Sequence, residues 1–308
     1  MAKLSDRILG ERVSGYVTKP NLLDNSNFQI RQRGNSDSSG NYGTFIDRYN
    51  TRGVSGTGGT TTISTPTLNS SGISYRVFSV NAAGHTSYWY MRQSFKVGRI
   101  NSGADYTFSL RANLMDNPIK LKAKLRGYDA SAGAWAELGE GDLDIDSYGT
   151  YSVTFLDVVS SLPLSADDDY VQIELTGSDA DNGSNFVLPD GAYRFEWFKL
   201  EEGNVFTGYE PTPYAIDENE CMKWFIKGTA RQYGFASRED SPNNSYRYMN
   251  ITYPNRMYTP TTFTSGPITG GTLVNTVAQT IDGACVTINA GSSGGIAYIT
   301  GYEASCEL

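Results

Sequence analysis

A chain of 308 residues with 33 glycines, 21 tyrosines and only 19% charged side chains has room for two domains with cores of their own, and it reads as short strands joined by turns. A formal net charge of −8 without a dense Lys/Arg patch excludes a nucleic-acid partner, because an acidic surface repels phosphate backbones; it also opposes acidic polymers unless a local basic site overrides it. No apolar run has the length of a membrane span or a signal peptide, so no membrane insertion is expected. The three widely spaced cysteines, Cys221, Cys285 and Cys306, lack a CxxC pair and read as buried thiols.

Residues 1–20 place Leu4, Ile8, Leu9 and Val13 near one helical face in a segment too short to be stable alone. The reading is an arm that orders against a partner or sister copies, with a frayed tail as the other reading. Leu22, Leu23, Phe28 and Ile30 then supply apolar anchors, and a Gly/Thr/Ser run between Thr51 and Ser71 reads as a twisted hairpin or a long surface loop.

A series of strands follows. SYRVFSV and TSYWYMRQSFKV are rich in aromatic and β-branched residues. DYTFSLRA, IKLKAKLRG, TYSVTFL and YVQIELTG each alternate apolar and polar residues, which requires one buried face and one wet face. In GAYRFEWFKLEE, Tyr193, Phe195 and Trp197 share one side, and the apolar side switches at Phe198, which predicts a bulge. Pro211 and Pro213 in YEPTPY then hold the backbone extended as a strap across the domain edge. ENECMK predicts one helical turn. After it, WFIKG, NSYRYMNITY, TLVNTVAQ, GACVTINA, GGIAYITG and YEASCEL give a small antiparallel set.

The segments NFQIRQRG, FIDRY, YMRQSFKVGRINSGADYTFSLRA and FEWFKLEEGNVFTGYEPTPYAIDENECMKWF, with the closing GYEASCEL, stand in an order that resembles tail-fibre and receptor-binding proteins of tailed bacteriophages. The resemblance covers Asn21 to Leu308, with Tyr49 in place of the usual Trp and Trp224-Phe225 in place of a Tyr pair. It implies a jelly-roll domain like a carbohydrate-binding module, a homotrimer, and residence on the virion. It supplies no agreed sugar site.

Little in the sequence points to catalysis. His85 is the only histidine, so a Ser/His/Asp relay or zinc site would have to use it. Carboxylates that could pair as in glycosidases fall in ELGEGDLDID (Glu137, Glu140, Asp142, Asp144, Asp146) and at Asp167, Asp168 and Asp169, all read as turn-like stretches. Asp179, Asp181 and Asn182, followed by Gly183, have the alternating oxygens of a structural calcium loop, or form a plain Asp/Asn/Gly turn; no other cofactor is expected. A sugar binder needs aromatic faces for the C–H side of a pyranose and polar neighbours for its hydroxyls. Trp135, read as lying in a polar loop with Tyr128 and Asp129 near it, is the first candidate; Tyr253, Asn255, Arg256 and Tyr258 form the second. Trp89 and Trp197 lie within strands and read as core.

The expectation is therefore an all-β protein: an attachment arm (1–20), a jelly-roll β-sandwich (21–217) and a smaller antiparallel β-domain (218–308). Its expected role is non-catalytic attachment of a phage to host cell-surface polysaccharide, with residues 1–20 contacting other virion proteins. A structural head-fibre, decoration or connector protein is the alternative, and a polysaccharide depolymerase is a third.

Overall fold

The computed structural model describes residues 18–30, 36–37, 42–46, 48–52, 60–63, 67–68, 74–75, 78–82, 89–160, 163–164, 169–177, 188–233, 246–254, 256–257, 262–269, 272–280, 282–289 and 298–305. His85, Asp167, Asp168, Asp179, Asp181, Asn182, Asn255, Tyr258, Cys306 and residues 1–17 lie outside them. The chain divides into two compact units between Tyr214 and Ala215.

In the first unit the strands are β1 (Ser36–Asp37), β2 (Tyr42–Ile46), β3 (Tyr49–Arg52), β4 (Thr60–Ile63), β5 (Thr67–Leu68), β6 (Ser74–Tyr75), β7 (Phe78–Ala82), β8 (Tyr90–Lys96), β9 (Ala104–Met115), β10 (Ile119–Asp129), β11 (Ala134–Ile145), β12 (Gly149–Val158), β13 (Tyr170–Gly177) and β14 (Gly191–Glu202). Two six-stranded antiparallel sheets result, ordered β1-β4-β7-β14-β9-β12 and β11-β10-β13-β8-β3-β2. From β7 onward the chain changes sheet at every step except the β10–β11 hairpin, which gives the order of an eight-stranded jelly roll. The all-β expectation thus holds.

The alternating residues meet between the sheets. Phe108 and Leu110 of β9, Leu121 and Leu125 of β10, Ile173 and Leu175 of β13, and Phe195 and Phe198 of β14 are all buried in one apolar cluster. Each contributes about 1.5–3 kcal/mol by leaving water. The predicted bulge is present: the β14–β9 register shifts between Arg194 and Phe195 and again between Phe195 and Trp197. As a result Phe198 joins the core and Trp197 leaves it. Trp197 is not sandwich core; it stacks on Tyr209 (ring centroids 4.4 Å, planes 2° apart) and on Phe206 (5.7 Å). Those two rings belong to the extended segment that follows β14. The same segment is held by the buried Lys199–Glu201 pair (3.0 Å), because Lys199 donates to the Gly208 carbonyl at 2.6 Å and Glu201 accepts the Thr207 N–H at 3.0 Å.

Residues 21–30 fill the sandwich beside β14. Leu23 and Phe28 enter the core, and Leu22 N–H donates to the Leu200 carbonyl at 2.8 Å. This brings Asp24 into the interior, where Arg48 Nε (3.0 Å) and Arg99 Nη1 (2.8 Å) meet its two oxygens and Gln93 pairs with its backbone.

ELGEGDLDI, up to Ile145, is strand rather than turn, with Asp146 just beyond it, and Trp135 likewise lies in β11 rather than in a loop. Gly139 and Gly141 serve close approach: a Cβ there would come within 2.8 Å of Phe155 and 2.2 Å of Val153, the β12 side chains that close this side of the sandwich. The real turn is residues 130–133, with Gly133 at φ +61°. Asp129 builds it, accepting hydrogen bonds from the Ser131 hydroxyl (2.7 Å) and the Ala132 N–H (2.9 Å), while Asp169 accepts from Ala130 N–H (2.9 Å).

The second unit has a helix, α1 (Tyr214–Met222), and β15 (Phe225–Tyr233), β16 (Tyr246–Thr252), β17 (Thr262–Ser265), β18 (Ile268–Thr269), β19 (Thr272–Gln279), β20 (Gly283–Asn289) and β21 (Tyr298–Ser305). The helix is longer than the single turn expected. One sheet runs β15-β21-β17, with β18 also on β21, and the other β16-β20-β19, around Trp224, Ile251, Val286, Ile288 and Ile299. No helix among the described residues is long and apolar enough to cross a membrane.

Two stability predictions follow from these packings. Asp24→Ala should cost about 3–5 kcal/mol, since it leaves Arg48 buried without its counter-charge, and urea unfolding will measure the loss. Asp129→Ala should lower Tm at neutral pH. The Ser131 hydroxyl, with the Ala132 N–H, holds the Asp129 carboxyl below the usual carboxylate range, so its contribution exists above about pH 4 and disappears as pH falls through the lowered value. A Tm series from pH 7 to 2 should accordingly fall less steeply in the variant.

Candidate functional site

The inward apolar side chains of β8, β13, β10 and β11 are fixed by the core, and Gln93 of β8 by the Asp24 backbone, so the alternate residues must share the outer face of that sheet. The registers align them in rows. The first row is Lys96, Tyr170, Tyr128 and Trp135, and the second is Ser94, Gln172, Arg126 and Glu137. The third, which reaches β3, is Asn50, Arg92, Glu174, Lys124 and Glu140.

The first row ends in a cluster of three rings. Tyr128 lies 5.0 Å from Trp135 and 4.9 Å from Tyr170, and Trp135 meets Tyr170 edge-on at 5.5 Å and 84°. Trp135 is 44% exposed and Tyr128 and Tyr170 are half-buried, so the cluster offers aromatic surface while remaining supported from behind. Burial pushes the Tyr170 phenol up, the Tyr128 phenol adds to this, and the Arg92 guanidinium partly opposes it. The Tyr170 hydroxyl therefore keeps its proton and remains available as both donor and acceptor.

The rows behind the rings are polar yet withdrawn from solvent. Gln172 and Glu174 are each only 2% exposed. Gln172 Nε2 donates to Ser94 Oγ at 3.0 Å, while Gln172 Oε1, Arg92 Nε and Asn50 Oδ1 are buried with no hydrogen-bond partner among the described residues. Leaving a buried polar atom unmet costs about 1–3 kcal/mol, and these three share the outer face of one sheet. Arg92 is nonetheless held in place, its guanidinium 4.6 Å over the Tyr90 ring.

At the far end of the face the β10 lysines and β11 acids offset each other, with Lys122 3.4 Å from Glu140 and 3.8 Å from Asp142, and Lys120 3.9 Å from Asp144. Asp146 accepts from the Tyr151 and Ser147 hydroxyls. Among the described residues no group of three His, Cys, Asp or Glu side chains could hold a metal ion.

Of the residues singled out from sequence, Trp135 and Tyr128 come together as ring neighbours. Asp129 faces the other way, and its Oδ1 is committed to the turn beneath them. In the second unit Tyr253 is 5% exposed and stacks on Tyr302 in the core, so it presents no open ring. Arg256 is exposed and lies 3.7 Å from Asp282, while its companions Asn255 and Tyr258 are outside the described residues. Sequence reasoning missed Tyr170, Gln172, Arg92 and Asn50. The alternation of YVQIELTG marked Tyr170 and Gln172 as one face, but only the strand order shows which neighbours they meet.

No family model matches the chain, and no curated protein matches it. Among solved structures, similarity is found to a putative sugar binding protein from Bacteroides thetaiotaomicron (10% identity over 60% of this chain and 100% of that one, TM-score 0.37). Similarity is also found to the enzymatically active domain of bacteriophage CBA120 tailspike protein 4 (14% identity, 59% of this chain and 21% of that one, TM-score 0.36). A third is the CBM22-2 xylan-binding domain from Paenibacillus barcinonensis (10% identity, 55% of this chain and 98% of that one, TM-score 0.32).

Proposed function

We propose that this chain is a non-catalytic glycan-binding protein of a bacteriophage particle, and that its glycan lies on the outer face of the β11-β10-β13-β8-β3 sheet. The observation that carries the reading is the Trp135–Tyr128–Tyr170 cluster, set beside a patch of buried polar atoms without partners. A pyranose has both halves of the matching chemistry: an apolar C–H face for the rings, and hydroxyls that each donate and accept. Gln172 Oε1 and Asn50 Oδ1 would take hydroxyl protons, and Arg92 Nε would give one.

The phage assignment rests on the order of sequence segments between Asn21 and Leu308 that resembles tail-fibre proteins. A non-catalytic role is favoured because Glu140, Asp142 and Asp144 of β11 are engaged in cross-strand ion pairs and Asp146 in the 146–151 turn. A homotrimer attached through residues 1–20 would suit weak individual sites. A millimolar site contributes only about −4 kcal/mol, and linking several copies raises avidity by roughly 10²–10⁴.

Glycan-array binding by the full chain tests the reading. Trp135→Ala should weaken retention of the bound glycans by about tenfold, the equivalent of about 1.4 kcal/mol of stacking, with Tm unchanged. Equal retention by the variant, or release of soluble sugar from the array by the wild type, would rule the proposal out.

A further inference from the structure

The chain as a whole is acidic, yet the middle of the proposed binding face is not. Over the three rows that hold the rings and the polar patch, the described charged groups are Arg92, Lys96, Lys124 and Arg126 against Glu137, Glu140 and Glu174. Cations outnumber anions four to three there, in a chain whose net charge is −8. The two arginines flank the buried Gln172–Ser94 pair: Arg126 Nη1 stands 3.7 Å from Glu174, and Arg92 is the register partner of Glu174 on the other side. Glu174 therefore has a basic neighbour on every strand that touches it: Lys124 and Arg126 on β10, and Arg92 on β8.

We infer, on the footing of the glycan-binding reading, that the sugar taken by this face carries a carboxylate, received by Arg92 beside Gln172. Three observations point there. Arg92 Nε–H is a buried charged donor with no acceptor among the described residues, and a charged donor left unmet costs more than a neutral one. Its guanidinium carbon sits 4.6 Å over the Tyr90 ring, a contact that restrains the side chain before a ligand arrives. The adjacent Gln172 Oε1 can accept only a proton donor, so it would reject a carboxylate at its own position and take the neighbouring hydroxyl. Neutral hydroxyls could fill both positions, and it is the permanent positive charge of the Arg92 guanidinium that favours a carboxylate of a uronic or sialic type of residue at the donor position. The face is also the local basic site that an acidic chain requires before an acidic polymer can approach.

The test is a glycan array that pairs each carboxylated glycan with its carboxyl-reduced form, in which the acid has become a hydroxymethyl group. Wild-type protein, Arg92→Gln, Arg92→Lys and Trp135→Ala are compared at two salt concentrations, with Tm as the folding control. The expected result is that carboxyl reduction weakens wild-type binding at least tenfold. Arg92→Gln should bind both forms alike, and Arg92→Lys should keep the salt dependence but recover only part of the affinity, because it restores the charge without the Nε donor. Trp135→Ala should weaken both forms. Equal or better binding of the reduced glycans by wild type, or an Arg92→Gln variant that keeps the preference, overturns the carboxylate while leaving glycan binding in place. An array with no bound glycan of either kind removes both together.

Discussion

The constraint on which the molecule depends is the register of β8, β13, β10 and β11. Their inner residues, among them Phe95, Ile173, Leu125 and Leu143, are locked between two sheets, where a one-residue slip would turn each of these side chains outward. Once the inner set is fixed, the outer set has no freedom. Tyr170 must face Tyr128, Tyr128 must face Trp135, and Arg92 must face Glu174. The candidate site is in this sense a by-product of core packing, which makes it rigid and prepared in advance of any ligand.

Two further devices protect that register. The 21–30 segment carries a charged residue, Asp24, into the sandwich, where two arginines from separate parts of the chain meet it. A buried cluster of this kind gives little net stability but penalises every arrangement that separates its members. On the other sheet, the bulge in β14 turns Trp197 outward, and the segment after the strand stacks Tyr209 and Phe206 on it. Tyr209 also bonds to Ser26 at 3.0 Å, so the entry to the first unit and the segment leaving its last strand are fastened to one another.

The polar side of the candidate face departs from the rule that buried donors and acceptors find partners. Desolvation makes such atoms costly, and three of them, Gln172 Oε1, Arg92 Nε and Asn50 Oδ1, lie on this one face. Beside them the Tyr128–Tyr170–Trp135 rings support one another, so the exposed Trp135 does not have to be ordered when a ligand arrives.

Period-two alternation was enough to read the all-β architecture, the wet and buried faces of β9, β10, β12 and β13, and the bulge near Phe198, since each follows from side chains a few residues apart. Sequence reading also singled out Trp135 and Tyr128, on the separate ground that they are aromatics close together in a polar stretch. It misplaced Trp135 in a loop, because Gly139 and Gly141 look like turn residues until Phe155 and Val153 of β12 are seen pressing on them. It could not find Tyr170, Arg92, Gln172 and Asn50 as companions, because β3, β8 and β13 lie far apart in sequence and the jelly-roll order alone makes them neighbours. Nor could it locate positive charge within a chain of net charge −8, since that concentration exists only where strands from distant segments are hydrogen-bonded side by side. Local alternation is a property of the chain, whereas adjacency across strands is a property of the fold.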